Sequence, residues 1–159
     1  MKERCKRLLE GLDARAQPAF EKFIYNLDAL LGDAQYHIVE GRRSERVQKA
    51  YYAQGRDPLP LVNALREAAG LYPLRGEKDN YVITWTLKSK HIEGLAMDVV
   101  PVDGAGSPTW DIAHYRAAFE KILRCGRDAG LICGADWPEP QTDWPHYEFN
   151  LKKGEGNEA

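Results

Sequence analysis

A carboxylate in the middle of an apolar run is the feature of this sequence that most restricts how the chain can fold. Asp98 lies within an apolar segment that predicts a strand. In a strand, Ala96 and Val100 share the face of Asp98, while Met97 and Val99 take the other face. A carboxylate with apolar neighbours on both faces is costly unless it meets a cation or several hydrogen-bond donors. The fold must therefore bring a metal ion or a buried arginine to Asp98.

Two histidines favour the metal ion over the arginine. His91 precedes Asp98 by seven positions, and Gly94 permits a turn that folds the imidazole back beside the carboxylate. His146 lies near the far end of the chain and follows Asp143 by three positions. Two imidazoles and one carboxylate are the usual protein ligands of a catalytic zinc ion, which keeps a fourth position open for water. The extra carboxylate, Asp143, is then a candidate general base.

The sequence leaves the geometry of this second motif open. Pro145 biases Trp144 away from the α-helix, so these residues form a loop that runs into a strand. A turn must then bring Asp143 round to face the metal. Glu148 shares the strand face of His146, so it competes with Asp143 as the base or serves as a partner that orients a metal ligand.

Other groups with catalytic or metal-binding chemistry fit less well. His37 lies in a predicted strand and His114 on the polar side of a predicted helix, each without a matching carboxylate pattern. Both are interpreted as structural or exposed histidines. Cys133 lies near the second motif, but its Leu-Ile-Cys run is apolar, and a thiol in such surroundings is usually inert.

Composition and charge exclude several classes of protein. The 159 residues, with 43% hydrophobic and 29% charged residues, predict a single globular domain over residues 1–159. A net charge of -2 gives no electrostatic case for binding nucleic acid or an anionic membrane. No run approaches the roughly 18 apolar residues that span a bilayer, so membrane insertion is not expected. Three cysteines without framework spacing and the lack of a signal peptide favour synthesis in the cytoplasm.

Hydrophobic periodicity and turn signals predict an α+β fold. Helices and strands are segregated rather than alternating, which favours a small, mainly antiparallel sheet flanked by helices. Ser44 and Thr109 are the predicted N-caps of two helices, and the charged tail from Lys152 is predicted to fray. Helices are predicted within residues 1–14, 18–31, 44–54, 61–69 and 109–130, and strands at residues 36–40, 81–86, 96–102, 131–133 and 147–151.

The motifs resemble those of the zinc peptidases of bacterial and phage cell-wall metabolism. That family includes D-alanyl-D-alanine carboxypeptidases and dipeptidases and the L-alanyl-D-glutamate endopeptidases of phage endolysins. The Ser-x-His-x-x-Gly-x-Ala-x-Asp pattern is met at residues 89–98, and an acid three before a His-aromatic-Glu run is met at residues 143–148. A Gly-x-Arg-Ser segment is met at residues 41–44, and residues 48–56 continue an endolysin-like helix end. The usual aromatic-Gly-Gly before an Asp-Trp pair appears here as the Cys-Gly-Ala of residues 133–135.

The resemblance implies a fold of the hedgehog/D-Ala-D-Ala peptidase type, with a catalytic core at about residues 36–151. The zinc ligands that it implies are His91, Asp98 and His146. It implies that Asp143 is the base, because the endolysin-like branch often has Asp at the position where the dipeptidases have Glu. By the same resemblance, Arg43 would hold and polarise the scissile carbonyl, and Ser89 would help to position the substrate.

The resemblance therefore predicts a zinc-dependent peptidase whose partner is the peptidoglycan stem peptide. The leading hypothesis is an L-alanyl-D-glutamate endopeptidase, or endolysin. The alternatives are a D,D-carboxypeptidase or dipeptidase, and a non-catalytic zinc-containing module that binds the cell wall. The protein is expected to be a monomer that is made in the cytoplasm and acts on the cell wall after release by a partner pore protein.

Overall fold

The computed structural model describes residues 1–152, which divide into two compact units. One unit comprises Met1–Arg42 and the chain from Glu93 onward, and the other comprises Arg43–Ile92. The single domain expected from the sequence stays a prediction. The predicted fraying of the tail falls mainly on residues 153–159, which lie outside the described residues. In chain order the helices and strands are α1 (Glu3–Glu10), α2 (Gln17–Leu30), β1 (Tyr36–Glu40), α3 (Glu45–Ala53), α4 (Leu59–Ala68), β2 (Ala96–Pro101), α5 (Ile112–Asp128), β3 (Ile132–Cys133) and β4 (His146–Glu148).

The first unit is organised around a four-stranded sheet with the order β1-β2-β4-β3. Strand β2 pairs antiparallel with β1 on one side and with β4 on the other, and β3 pairs antiparallel with β4. The helices α2 and α5 pack against each other, and α5 also packs against β2 and β3. The α+β fold with a small antiparallel sheet flanked by helices is therefore confirmed.

The amphipathic pattern of α2 builds much of the core of the first unit. Leu30, in the last turn of the helix, is 43% exposed, so the completely buried stripe of α2 ends at Leu27. Phe23 lies with its ring centroid 4.6 Å from that of Tyr147 in β4, which ties the helix to the sheet. The residues of α2 that are completely buried are Phe20, Phe23, Ile24 and Leu27.

Side-chain caps fix where two of the helices begin. The Ser44 hydroxyl accepts a hydrogen bond from the Val47 backbone N–H at 3.2 Å, which confirms the predicted cap of α3. The predicted cap of α5 at Thr109 is wrong. Asp111 occupies that position, and its carboxylate accepts from the His114 N–H at 3.2 Å. The Thr109 hydroxyl instead accepts from the Asp111 N–H, because either residue type can fold onto nearby backbone donors.

The second unit contains α3 and α4, which pack against each other, followed by an irregular segment. The strand predicted at residues 81–86 does not form there. The backbone carbonyls of Thr84 and Thr86 accept hydrogen bonds from the side chains of Arg56 and Gln48, at 2.9 Å and 2.7 Å. Strand-forming residue types express that preference on a pleated surface with partner strands, and these carbonyls bond to side chains instead.

Candidate metal centre

Asp98 and His146 meet because they are directly opposite each other on paired strands. Their Cα atoms are register partners across β2 and β4. The Nδ1 atom of His146 lies 3.5 Å from Oδ1 of Asp98, and the two side chains are 10% and 22% exposed. Every residue of β2 other than Asp98 is buried. The carboxylate therefore stands beside an imidazole at the least buried position of the strand.

His91 reaches the same place from the turn that precedes β2. Its backbone N–H donates to the Ser89 hydroxyl at 3.2 Å, and the residue is 2% exposed. Gly94 has a φ of 74°, the left-handed conformation that the turn needs, and its carbonyl accepts from the Asp13 N–H at 2.9 Å. A donor atom from each of His91, Asp98 and His146 lies within 4.8 Å of the other two. The structure thus brings the three predicted ligands together.

This donor set fits a metal ion. Two imidazole nitrogens and one carboxylate oxygen on a common centre match the three protein ligands of catalytic zinc sites, which leave further positions open. The three side chains are buried or half-buried, which suits ligands that an ion holds away from bulk water. The group could hold a metal ion.

Glu148 contacts the edge of His146 that faces away from Asp98. Its Oε1 atom lies 2.9 Å from Nε2 of His146, and its side chain is 13% exposed. Burial by itself lowers the pKa of His146. The hydrogen bonds with Asp98 and Glu148, together with the charges of Asp98 and Asp143, outweigh burial and raise that pKa to about 9. A metal ion takes the place of one ring proton, because a coordinated imidazole nitrogen must be unprotonated.

The pairing of His146 with Glu148 has the form of a carboxylate that orients a metal-binding histidine. Such partners fix which ring nitrogen faces the metal, and losing one typically weakens metal binding by 10- to 100-fold. We expect Glu148→Gln to weaken metal binding by about 10- to 100-fold, measured by competition with a chromophoric chelator.

A control for this variant is the pair formed by Asp111 and His114, which is exposed and has a separation of 2.7 Å. Asp111→Asn makes the same chemical change beside a histidine and keeps a residue type that caps helices well. Its metal affinity should equal that of the wild type. Unchanged affinity in Glu148→Gln as well would mean that Glu148 does not orient His146.

A close backbone approach positions Asp143. Its N–H donates to the Gly134 carbonyl at 2.9 Å, and its own carbonyl accepts from the His146 N–H at 3.2 Å. A Cβ atom on Gly134 would lie 2.2 Å from the Asp143 carbonyl oxygen and 3.0 Å from Cβ of His146, so only glycine fits. Asp143 is exposed, and its charge is among the causes that raise the pKa of His146. The loop therefore holds an accessible carboxylate near His146.

Arg43 lies next to His91 within the second unit. Its backbone N–H donates to the His91 carbonyl at 2.9 Å. Its guanidinium donates to Oε1 of Gln48 at 2.6 Å and lies 4.8 Å from the centre of the Tyr51 ring. Gln48 is 1% exposed. In the sequence, Gln48 has no assigned role beyond its place in the family pattern. A polar residue on the buried face of α3 needs a hydrogen-bond partner, and this is the sequence signal that could have identified Gln48 as a partner of Arg43.

Trp137 is a further neighbour of the site that the motifs do not identify as such. Its ring centroid lies 4.9 Å from that of His146, with the planes tilted by 39°. The Thr142 hydroxyl donates to the Trp137 carbonyl at 2.6 Å and so ties this part of the loop together. The indole therefore packs against a metal-ligand candidate. In the sequence, Trp137 belongs to the Asp-Trp pair that follows residues 133–135, and that pattern is the signal that could have identified it.

The two other histidines do not belong to the metal-competent group found among the described residues. His114 pairs with the carboxylate that caps α5 and is exposed, as the polar side of a helix predicts. His37 lies in β1 opposite Val100. Burial, followed by the charges of Arg4 and Lys2, lowers the pKa of His37.

Cys133 lacks the surroundings of a catalytic thiol. It is 2% exposed, and burial together with the charge of Asp136 raises its pKa to about 12. An increase of about three pKa units lowers the thiolate population at neutral pH by roughly a thousand-fold, and the thiolate is the nucleophile. We expect iodoacetamide at pH 7.5 to leave Cys133 of the folded protein unmodified and hydrolysis unchanged, measured by mass spectrometry of tryptic peptides. Rapid labelling of Cys133 with loss of activity would contradict this.

Three ligand candidates on an α+β scaffold, with an accessible carboxylate close by, fit a metal-dependent hydrolase. Residues 83–149 match the model of a peptidase family described as D-alanyl-D-alanine carboxypeptidase. Over these residues, which make up less than half of the chain, the chain is similar to this peptidase family, and the match supports a hydrolytic enzyme of the metallopeptidase class. The matched segment includes His91, Asp98, Asp143 and His146, whereas Arg43 precedes it. None of the helices in the described residues has the length and apolar character that crossing a membrane requires.

The fold of this chain is similar to those of solved peptidase structures. The chain is similar to the L-Ala D-Glu endopeptidase ChiX of Serratia marcescens, with a TM-score of 0.54 and 20% identity over 96% of this chain and 91% of that chain. It is also similar to the LdcB LD-carboxypeptidase, with a TM-score of 0.48 and 22% identity over 92% of this chain and 70% of that chain. The likeness to ChiX shows a shared fold. A comparison with curated proteins found no match.

Proposed function

We propose that this protein is a zinc-dependent peptidase that cleaves peptidoglycan stem peptides, as an L-alanyl-D-glutamate endopeptidase. The observation that carries the proposal is the convergence of His91, Asp98 and His146 within 4.8 Å, with Asp143 held beside His146 by the Gly134 loop. The match to a peptidase family over residues 83–149 supports peptide hydrolysis. The Asp at position 143 supports the endolysin-like branch, and ChiX, which shares the fold, is named for this activity.

In this proposal the protein's residues divide the chemistry between them. His91, Asp98 and His146 hold the zinc ion, which when bound acidifies a water molecule and polarises the scissile carbonyl. Asp143 accepts the proton from the attacking water and delivers it to the leaving amine.

Glu148 is occupied by the hydrogen bond to Nε2 of His146, so it orients a ligand, and Asp143 is the better candidate for the base. Arg43 donates to the carbonyl oxygen as negative charge develops there. Ser89 accepts from the His91 backbone N–H and so helps to fix the turn that carries this ligand.

Mass spectrometry of the muropeptides released from purified peptidoglycan tests this proposal. We expect products cut between L-Ala and D-Glu, complete loss of release with a strong chelator, and recovery when zinc is returned. Release that persists in a metal-free preparation would overturn the zinc assignment. No release by the fully metallated protein would overturn the enzyme proposal and favour a module that binds zinc and the cell wall without turnover.

A D,D-carboxypeptidase is the second candidate, because the matching family carries that description. The same experiment separates the two activities. A carboxypeptidase releases free D-alanine and leaves the stem peptide attached to the glycan, whereas the endopeptidase detaches the peptide from its first residue. Release of D-alanine as the main product would replace the endopeptidase proposal.

A further inference from the structure

The tripeptide from Asp143 to Pro145 is attached to the rest of the first unit at both of its ends. The Asp143 N–H donates to the Gly134 carbonyl at 2.9 Å. The Pro145 carbonyl accepts from the Val99 N–H of β2, also at 2.9 Å. Between these two hydrogen bonds lies Trp144, whose side chain is half-buried and packs against the core of the first unit. The indole thus anchors the residue next to the proposed base.

Two residues of α5 hold the indole of Trp144. Phe119 is 1% exposed, and its ring centroid lies 6.2 Å from that of Trp144. The two ring planes make an angle of 73°, the edge-to-face arrangement that aromatic pairs favour. The guanidinium of Arg116 lies 4.7 Å from the centre of the indole, where a cation is attracted to the face of the ring. We call Arg116, Phe119 and Trp144 the indole clamp.

Arg116 is itself held in place along α5. Its Nε donates to Oε1 of Glu120 at 3.1 Å, and the two residues are four positions apart. Residues three and four apart on a helix are neighbours on its surface, so Arg116, Phe119 and Glu120 share one side of α5. The contacts of this side of the helix therefore join α5 to the loop that carries Asp143.

We propose that the indole clamp positions Asp143, so that Trp144 and Arg116 are positioning residues for the base. This inference rests on the proposed function, because it requires that Asp143 accepts the proton of the attacking water. The backbone hydrogen bonds hold the ends of the tripeptide, and the clamp holds its middle residue. A base must lie within hydrogen-bond reach of the proton that it accepts, and a misplacement of about 1 Å can cost on the order of 100-fold in rate.

Arg116→Gln tests the clamp without removing the indole. We expect kcat for stem-peptide hydrolysis to fall about two- to five-fold, the effect of losing a cation–aromatic contact at an exposed site, with KM and metal content unchanged. Arg116→Lys, which keeps a cation, should lose less. The control is Arg124→Gln on the same helix, which should keep the wild-type kcat. Arg124 lies 4.0 Å from Asp128, four positions on, and has no ring contact in the described part of the chain.

A double-mutant cycle separates positioning of the base from a general effect on the fold. The Asp143→Asn background has no base to position, so Arg116→Gln should lower kcat no further there. Trp144→Leu removes both ring contacts and should lower kcat by about ten- to 100-fold in the presence of the Asp143 carboxylate. A wild-type kcat in Arg116→Gln, or an equal loss with and without that carboxylate, would overturn the proposal.

Amide hydrogen exchange at Asp143, followed by NMR, gives a readout that does not depend on turnover. The Asp143 N–H is bonded to the Gly134 carbonyl, so a loosened clamp should speed up its exchange in Arg116→Gln and leave it unchanged in Arg124→Gln. If the fully metallated wild type cuts no stem peptide, the proposed function fails, and exchange alone decides about the clamp. Faster exchange in Arg116→Gln then supports the clamp, and unchanged exchange overturns it.

Discussion

Replacing Asp143 by Asn is expected to lower kcat/KM for stem-peptide hydrolysis by about 100- to 10,000-fold while the protein keeps its metal ion. The amide cannot accept a proton from water, so the variant would lack the proposed base. It keeps the shape of the side chain and both backbone hydrogen bonds, from the Asp143 N–H to Gly134 and from the His146 N–H to Asp143. Metal content is unaffected because Asp143 is outside the three-donor group.

The Glu148→Gln variant is the comparison that separates loss of the proposed base from loss of metal affinity. Both variants exchange a carboxylate near His146 for an amide. The Glu148 carboxylate contacts the imidazole of His146, whereas Asp143 is held near His146 by backbone hydrogen bonds of the loop. Excess zinc should restore activity to Glu148→Gln, whose defect is in affinity, and should not restore Asp143→Asn. Atomic absorption and steady-state kinetics at rising zinc concentration measure this. Near wild-type turnover in Asp143→Asn with metal bound would show that another group is the base.

The convergence of the three ligand candidates could be predicted from the sequence because two of them have a local reason to be where they are. Asp98 is a carboxylate in an apolar strand, and such a residue needs a cation. His91 follows from the turn at Gly94, which the structure places in the left-handed conformation. The register that sets Asp98 opposite His146 is not visible in the sequence, because strand pairing depends on the packing of the whole sheet.

The roles of Asp143 and Glu148 could not be separated from the sequence. Both lie within three residues of His146, and strand geometry alone favours Glu148 as its neighbour. The position of Asp143 depends on the Gly134 carbonyl, which accepts a hydrogen bond from the Asp143 N–H. Gly134 is close to Asp143 in space but nine residues away from it in the chain. Contacts of this kind are set by the tertiary fold, so a local pattern does not contain them.

The wrong prediction at residues 81–86 has a physical cause. Alternating β-branched and aromatic residues favour a strand only where the chain finds partner strands and buries one face. Here Gln48 and Arg56 take two of the carbonyls, and the large side chains of Tyr81 and Trp85 stay exposed.

Replacing Arg43 by Lys is expected to lower kcat by about 100- to 1000-fold, the usual cost of removing a donor that stabilises the developing oxyanion. The guanidinium donates to Gln48 while it lies over the Tyr51 ring, and its planar fork can donate through several N–H groups in fixed directions. A lysine ammonium is a point charge that cannot keep both contacts and donate in the same direction. KM should change much less, because the negative charge on the carbonyl oxygen develops only in the transition state.

The Gln48→Leu variant separates the role of the Arg43 guanidinium from that of Gln48, which holds it in place. It keeps the arginine but removes the hydrogen bond at Nη1, so a loss of about ten-fold in kcat is expected, smaller than in Arg43→Lys. If Arg43 acted only in folding, both variants would lose stability and activity together, and the activity per folded molecule, measured alongside thermal unfolding, would stay at the wild-type level. A selective loss of kcat, with unchanged metal content and unfolding temperature, would show that Arg43 stabilises the transition state. A purely structural arginine would affect turnover only by also affecting the fold.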